Sequence, residues 1–123
     1  MDLSLDQRVW NRAALESGGA SPREGDRALA ALLLAHGMIM NGGVVHALES
    51  LSSAEVEAAI AGYRFYSLLD VARLLAAAAE DLDGDEAADH ADAKYAEAVR
   101  DDDALFERFR AVFTELPDLF SPA

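Results

Sequence analysis

The residues Ser21-Pro22-Arg23-Glu24-Gly25-Asp26-Arg27-Ala28-Leu29-Ala30-Ala31-Leu32-Leu33-Leu34-Ala35-His36-Gly37-Met38-Ile39-Met40-Asn41-Gly42-Gly43 decide the fold class. Their opening, Ser21-Pro22-Arg23-Glu24, has the form of a capping box, with Ser21 as N-cap, Pro22 at the first helical position and Glu24 three residues after the cap. Leu29, Leu32, Leu33, His36 and Met40 then recur at i, i+3, i+4, i+7 and i+11, the spacing of one buried stripe on an α-helix. Asn41-Gly42-Gly43 closes the segment, because Asn and Gly tolerate the left-handed backbone that ends a helix. A helix apolar along one side needs other elements to cover it.

Those elements are legible on both sides. Upstream, Leu5, Val9 and Ala13 form a seam with Trp10 beside it, and Gly18-Gly19 stops the segment. Downstream, Val44 to Glu49 makes a short helix, and Ser52 or Ser53 caps a segment with Val56, Ile60 and Tyr63 on one face and Gly62 at its end. Leu68, Ala72, Leu75 and Ala79 are the stripe of the next helix. Ala88, Ala91, Tyr95 and Ala98 follow, with Val99 at the margin. Leu105, Phe109, Val112 and Leu116, flanked by Phe106 and Phe113, form the most strongly apolar helix, which Pro117 halts. Runs of Val, Ile and Thr with period two are absent. The expectation is one compact all-α domain over residues 1–123, with about six or seven short helices.

Composition narrows the function classes. The 123 residues carry 23 Asp and Glu against 10 Lys and Arg, a net charge of −13 and a pI near 4.3. Binding to nucleic-acid phosphate needs Lys and Arg to displace counterions, and this chain would add repulsion instead. No cysteine is present, which excludes disulfides, thiolate nucleophiles and cysteine-ligated metals. The start of the chain has no basic segment followed by an apolar run, and the longest apolar stretch, Ala28 to Ala35, falls well short of the ~20 residues of a membrane span. A soluble cytoplasmic protein is the expectation.

The acid is concentrated late in the chain. Glu80 to Asp103 holds eleven carboxylates against Lys94 and Arg100, a net −9 in 24 residues. On a helical wheel from Asp85 to Asp101, Ala88, Ala91, Tyr95, Ala98 and Val99 share one side; Asp85, Glu86, Asp89, Asp92, Glu97 and Asp101 occupy the other. Along the axis, Asp85, Asp89 and Asp92 are about 6 and 4.5 Å apart, comparable to the charge spacing of a nucleic-acid strand. Such a face can stand in for DNA phosphates before a basic, DNA-binding protein. The contact set is then Asp81, Asp83, Asp85, Glu86, Asp89, Asp92, Glu97, Asp101, Asp102 and Asp103.

Two alternatives stand beside this one. In the plainer, the acidic face serves only solvation and solubility. In the other, Asp81, Asp83, Asp85, Asp89 and Asp92 fall at positions 1, 3, 5, 9 and 12 of a twelve-residue calcium loop, although Glu86 replaces the turn Gly and Asp92 the bidentate Glu.

Catalytic signatures are missing. His36, His46 and His90 form no metal motif, no G-x-S-x-G elbow occurs, and no Gly-rich loop follows a strand. His46 and Glu49 stand at i, i+3, a spacing seen in carboxylate-bridged metal sites, which require further copies. His36 lies on the apolar stripe and is expected to be a hydrogen-bonded histidine at the core edge; His90 is expected to face solvent. The chain is therefore expected to be non-enzymatic, without cofactor or bound metal.

The order of motifs carries one resemblance. A hydrophobic helix, then Asn41-Gly42-Gly43, a short helix, Ala59-Ile60-Ala61-Gly62-Tyr63 and Leu68-Leu69-Asp70-Val71-Ala72-Arg73-Leu74-Leu75 resemble the small acidic all-helical family that includes bacterial DNA-mimic proteins. The tail agrees, with Tyr95 before Asp101-Asp102-Asp103, then Leu105-Phe106-Glu107-Arg108-Phe109 and Pro117-Asp118-Leu119-Phe120. The likeness spans roughly residues 25–120 and departs at Val44 and His46, where the family usually carries an aromatic and a Gln. Asn41, Gly42 and Gly43 are the motif residues it carries over, read as a capped turn between helices. The resemblance implies a protein-binding role through an acidic surface, with a DNA-binding regulator or nucleoid protein as partner. A homodimer through the apolar C-terminal helix is compatible with the sequence and not demanded by it.

Overall fold

The computed structural model describes residues 4–80 and 85–122, and of residues 85–87 the backbone. Among the described residues seven α-helices follow one another: α1 (Leu5–Glu16), α2 (Glu24–Gly42), α3 (Val44–Ser50), α4 (Ser53–Phe65), α5 (Leu69–Glu80), α6 (Asp85–Ala98) and α7 (Asp102–Glu115). A 3-10 turn, Pro117–Leu119, comes last. α2 is the central element, packed against α1, α3, α4 and the 3-10 turn; α5 lies on α4, α6 on α5 and α3, and α7 on α1. Among the described residues there is no strand, and no helix is long and apolar enough to cross a membrane.

The central helix begins later than the Ser21 capping box implies. Arg23 is the N-cap, and its backbone N–H donates to the Asp26 carboxylate at 3.0 Å. Asp26 wins because it is buried and already oriented: Arg12 of α1 donates to it at 2.8 Å and the Ser121 N–H at 2.7 Å. The Arg12 guanidinium also donates to the Ser121 and Pro122 carbonyls, each at 2.8 Å. One buried carboxylate thus joins α1, the start of α2 and the C-terminal segment. Phe120 completes the joint by lying against Gly25, where an added Cβ would come within 2.6 Å of its ring.

The buried side of α2 is Leu29, Leu32, Ala35, His36 and Ile39. Leu33 is half-buried and Met40 is 59% exposed, so the stripe expected to run through Met40 runs through Ile39 instead. At 100° per residue, Leu32, Ala35, His36 and Ile39 fall within an arc of about 100°, and Leu33 and Met40 lie on its flank. The flank is covered at Leu33 and bare at Met40.

Ser52 is the cap of α4: Glu55 N–H donates to its hydroxyl and Ser52 N–H to the Glu55 carboxylate, at 3.1 and 2.9 Å. The helix does not stop at Gly62. It continues to Phe65, and Gly62 is buried where α4 crosses α2, with the Ala28 carbonyl occupying the space a side chain would need. Stripe ends are also overestimated elsewhere. Leu5, Ala79, Ala98 and Leu116 are exposed, because each sits in a terminal turn, or just past one, beyond the reach of the neighbouring helix.

α7 is held by rings. Phe109 is 1% exposed and lies 5.5 Å from Phe113, 5.7 Å from Phe120, 5.8 Å from Trp10 of α1 and 6.5 Å from Tyr66, measured between ring centroids. These tilted, edge-on and stacked contacts are the favourable geometries for aromatic pairs. The Tyr66 hydroxyl donates to the Gly25 carbonyl at 2.9 Å, which links the α4–α5 corner to the start of α2.

Candidate functional site

The acidic stretch becomes the outer side of α6 and the start of α7. α6 buries Ala91 and Tyr95, with Val99 immediately after it, and leaves Asp89, His90, Asp92, Ala93 and Glu97 in solvent. Asp81 and Asp83 lie outside the described residues, while Asp85 and Glu86 occupy the first turn of α6. Acidic groups at helix starts are favoured by the partial positive charge there.

The carboxylates of the expected contact set are not equivalent. Asp92 accepts from the Val44 N–H at 2.8 Å and so caps α3. Asp101 caps α7 by accepting from Ala104 N–H at 2.9 Å, and Asp102 pairs with His36. Asp89, Glu97 and Asp103 are exposed and make no ion pair among the described residues. Glu97 shares a shallow depression with Lys94 and Arg73, and Asp103 one with Arg100 and Arg108, so cations border the face at its α7 end. Asp92 is exposed, as expected, and it also stands about 20° from Val99 on the α6 wheel, beside α3, so that its carboxylate reaches the Val44 amide.

Asp92 also explains the Asn41-Gly42-Gly43 turn. Gly43 takes φ +95, and a Cβ there would meet the Asp92 carboxylate at 3.0 Å. Its N–H donates to the Ile39 carbonyl at 2.7 Å, ending α2, and the next N–H, that of Val44, goes to Asp92. A Cβ on Gly42 would collide with the His46 ring, which lies over it. Asn41 is exposed and borders the cleft described next. The motif is thus a tight α2–α3 junction whose second cap comes from α6.

Beside this junction is a cleft of about 630 Å³ between α1 and α2, with Trp10, Leu33, Leu34 and Met40 on its apolar side and His36, His46, Asn41 and Asp102 at its polar end. His36 is the hydrogen-bonded core-edge histidine expected. Its Nδ1 is 2.6 Å from the Tyr95 hydroxyl and its Nε2 2.7 Å from Asp102 Oδ1. The Tyr95 hydroxyl is 2.7 Å from that of Tyr63, which lies 3.5 Å from the Leu32 carbonyl. Burial pushes the Tyr63 phenol well up, with the facing Tyr95 adding to it, and burial likewise pushes Tyr95 up. Both therefore stay neutral, as donors and acceptors, through the ordinary pH range.

The geometry bears on the remaining expectations. His46 and Glu49 are both exposed, His46 rests on Gly42, and among the described residues no group of three or more His, Asp or Glu side chains could hold a metal ion. Of the calcium-loop pattern, Asp81 and Asp83 lie outside the described residues; the backbone of Asp85, Asp89 and Asp92 lies along one helix, and Asp92 accepts from the α3 amide. Asp26 and Arg12 were missed by the sequence reading. The available signal was that Asp26 stands three residues before Leu29, on the apolar stripe itself.

No curated protein and no solved structure matches the chain. A family model described as DMP19-like protein matches residues 21–121, which include the central helix, the Asn41-Gly42-Gly43 junction, the acidic side of α6 and the aromatic seam of α7. The chain belongs to the DMP19-like protein family.

Proposed function

We propose that this domain is a non-enzymatic, DNA-mimic-type binder that presents the outer carboxylates of α6 and of the α6–α7 corner to the DNA-contacting surface of a basic protein. The observation that carries this reading is that Asp89, Glu97 and Asp103 stand exposed on consecutive elements without an ion pair among the described residues. Asp85 and Glu86 lie on the same helix. Membership of the DMP19-like family supports it, as does the net charge of −13, which attracts cationic proteins over about 10 Å at ordinary salt. The partner class follows from charge: a regulator or nucleoid protein whose Lys and Arg side chains otherwise meet phosphate.

The test is capture from cell extract at low and high salt, with the chain and with Asp85→Lys, Asp89→Lys and Glu97→Lys combined. Asp92 is left intact because it caps α3. A DNA-binding protein held at low salt, released at about 0.5 M salt and lost with the reversed charges is the expected result. Capture that is indifferent to both would leave the acidic face with solvation as its role.

A further inference from the structure

The line of polar groups from Asp102 through His36 and Tyr95 to Tyr63 runs from the surface into the core, and the binding role above uses only its outer end. Asp102 is 77% exposed, whereas the His36 side chain it meets is 6% exposed. An ionised carboxylate can only accept, so Nε2 of His36 carries a proton. With the ring neutral, Nδ1 accepts from the Tyr95 hydroxyl, and Tyr95 accepts from Tyr63. With the ring doubly protonated, Nδ1–H donates to Tyr95, Tyr95 donates to Tyr63, and Tyr63 donates to the Leu32 carbonyl at 3.5 Å. Both states have a complete chain of hydrogen bonds, and they differ in its direction.

We propose that this chain is a proton-operated latch on the acidic corner: one proton on His36 reverses the buried hydrogen bonds and turns the open charge of Asp102 into a neutral ion pair. The regulatory consequence rests on the partner-binding role proposed above. A Lys or Arg that takes Asp102 competes with the proton on His36, so binding expels that proton and weakens as the ring becomes charged. The groups facing His36 are few. α6 supplies Tyr95, α4 supplies Tyr63, and α7 supplies Asp102. Asp101 is turned onto the Ala104 amide, and Asp103 lies in the depression with Arg100. α3 contributes His46 to the same cleft, and α1 lines it with no titratable side chain.

The test is a pH titration of the full chain by NMR, reading the His36 ring nitrogens and the Tyr63 and Tyr95 hydroxyl protons. Above the transition, Nδ1 is bare and Nε2 protonated; across it, Nδ1 and the Tyr95 hydroxyl signal move with one midpoint. Asp102→Ala, at an exposed position, replaces the single neutral form by a mixture of the two tautomers, and His46→Gln leaves it unchanged. A neutral ring protonated at Nδ1, or a Tyr95 signal that ignores the His36 midpoint, overturns the latch. Calorimetric titration with oligolysine, in two buffers of different ionisation heat, tests the consequence. The natural chain releases protons on binding near the midpoint and Asp102→Ala does not; equal release overturns the coupling. If oligolysine does not bind at all, the partner-binding role fails, while the NMR result still decides the latch.

Discussion

Asp26 and Asp102 are both carboxylates in the first turn of a helix, and each meets a nitrogen side chain at 2.8 or 2.7 Å, yet their surroundings differ completely. Asp26 is wholly buried and accepts from Arg12, Arg23 N–H and Ser121 N–H, so its charge is consumed in joining three parts of the chain. Asp102 is mostly in solvent and has His36 as its partner on one oxygen. The lesson is that burial and packing, not charge, decide whether a carboxylate holds the fold or remains available to another molecule. Asp92 and Asp101, each bonded to a helix-starting amide, fall between the two. The formal −13 therefore overstates what a partner meets.

The contrast is most exposed to failure at its buried end. Asp26→Ala leaves the half-buried Arg12 guanidinium without its carboxylate and frees two amides, and should cost about 3 kcal/mol, read as a large fall in Tm. Asp102→Ala should cost within about 1 kcal/mol, because that pair is largely exposed. Equal losses would erase the distinction.

Alkaline unfolding comes next. Burial pushes Tyr63, Tyr66 and Tyr95 up, with the Asp26 charge adding to Tyr66. Above pH 10, the ordinary phenol value, the unfolded chain loses these protons while the folded chain keeps them. Stability should thus be level below that pH and fall above it by about 1.4 kcal/mol per pH unit for each phenol. Denaturant melts between pH 8 and 11 check this, and Tyr95→Phe should shallow the slope by one phenol's share.

The smallest effect sharpens the middle of the comparison. Asp92→Ala and Asp89→Ala remove the same charge from the same helix, so long-range electrostatics nearly cancels between them. Asp92→Ala should lose about 1–2 kcal/mol with the α3 cap, and Asp89→Ala should stay within about 0.5 kcal/mol. Denaturation midpoints that coincide would leave the bond from the Val44 amide to Asp92 without a share in stability.

Much of the fold was legible because its signals are local. The Ser52 cap with Glu55, the central helix and its end at the glycines, and the Phe109 seam all follow from spacing within a few turns. Three positions were not. Gly62 carries the sequence mark of a helix end, but it is a crossing point, a fact that depends on the Ala28 carbonyl of another helix. Met40 fits the period and still faces solvent, since no element covers that flank. Asp92 is exposed with the rest of the acidic run, and that it also caps α3 depends on where α3 is placed.

The sequence by itself determined the all-α class, the order of the main helices and where the negative charge gathers, because periodicity, capping and charge are properties of neighbours along the chain. Only the tertiary structure decided which carboxylate is bound to the α3 amide, which one is sealed against Arg12, and which one meets the buried His36 from the surface. Those outcomes depend on what packs opposite each side chain, and residues 14 to 95 positions apart in the chain set them.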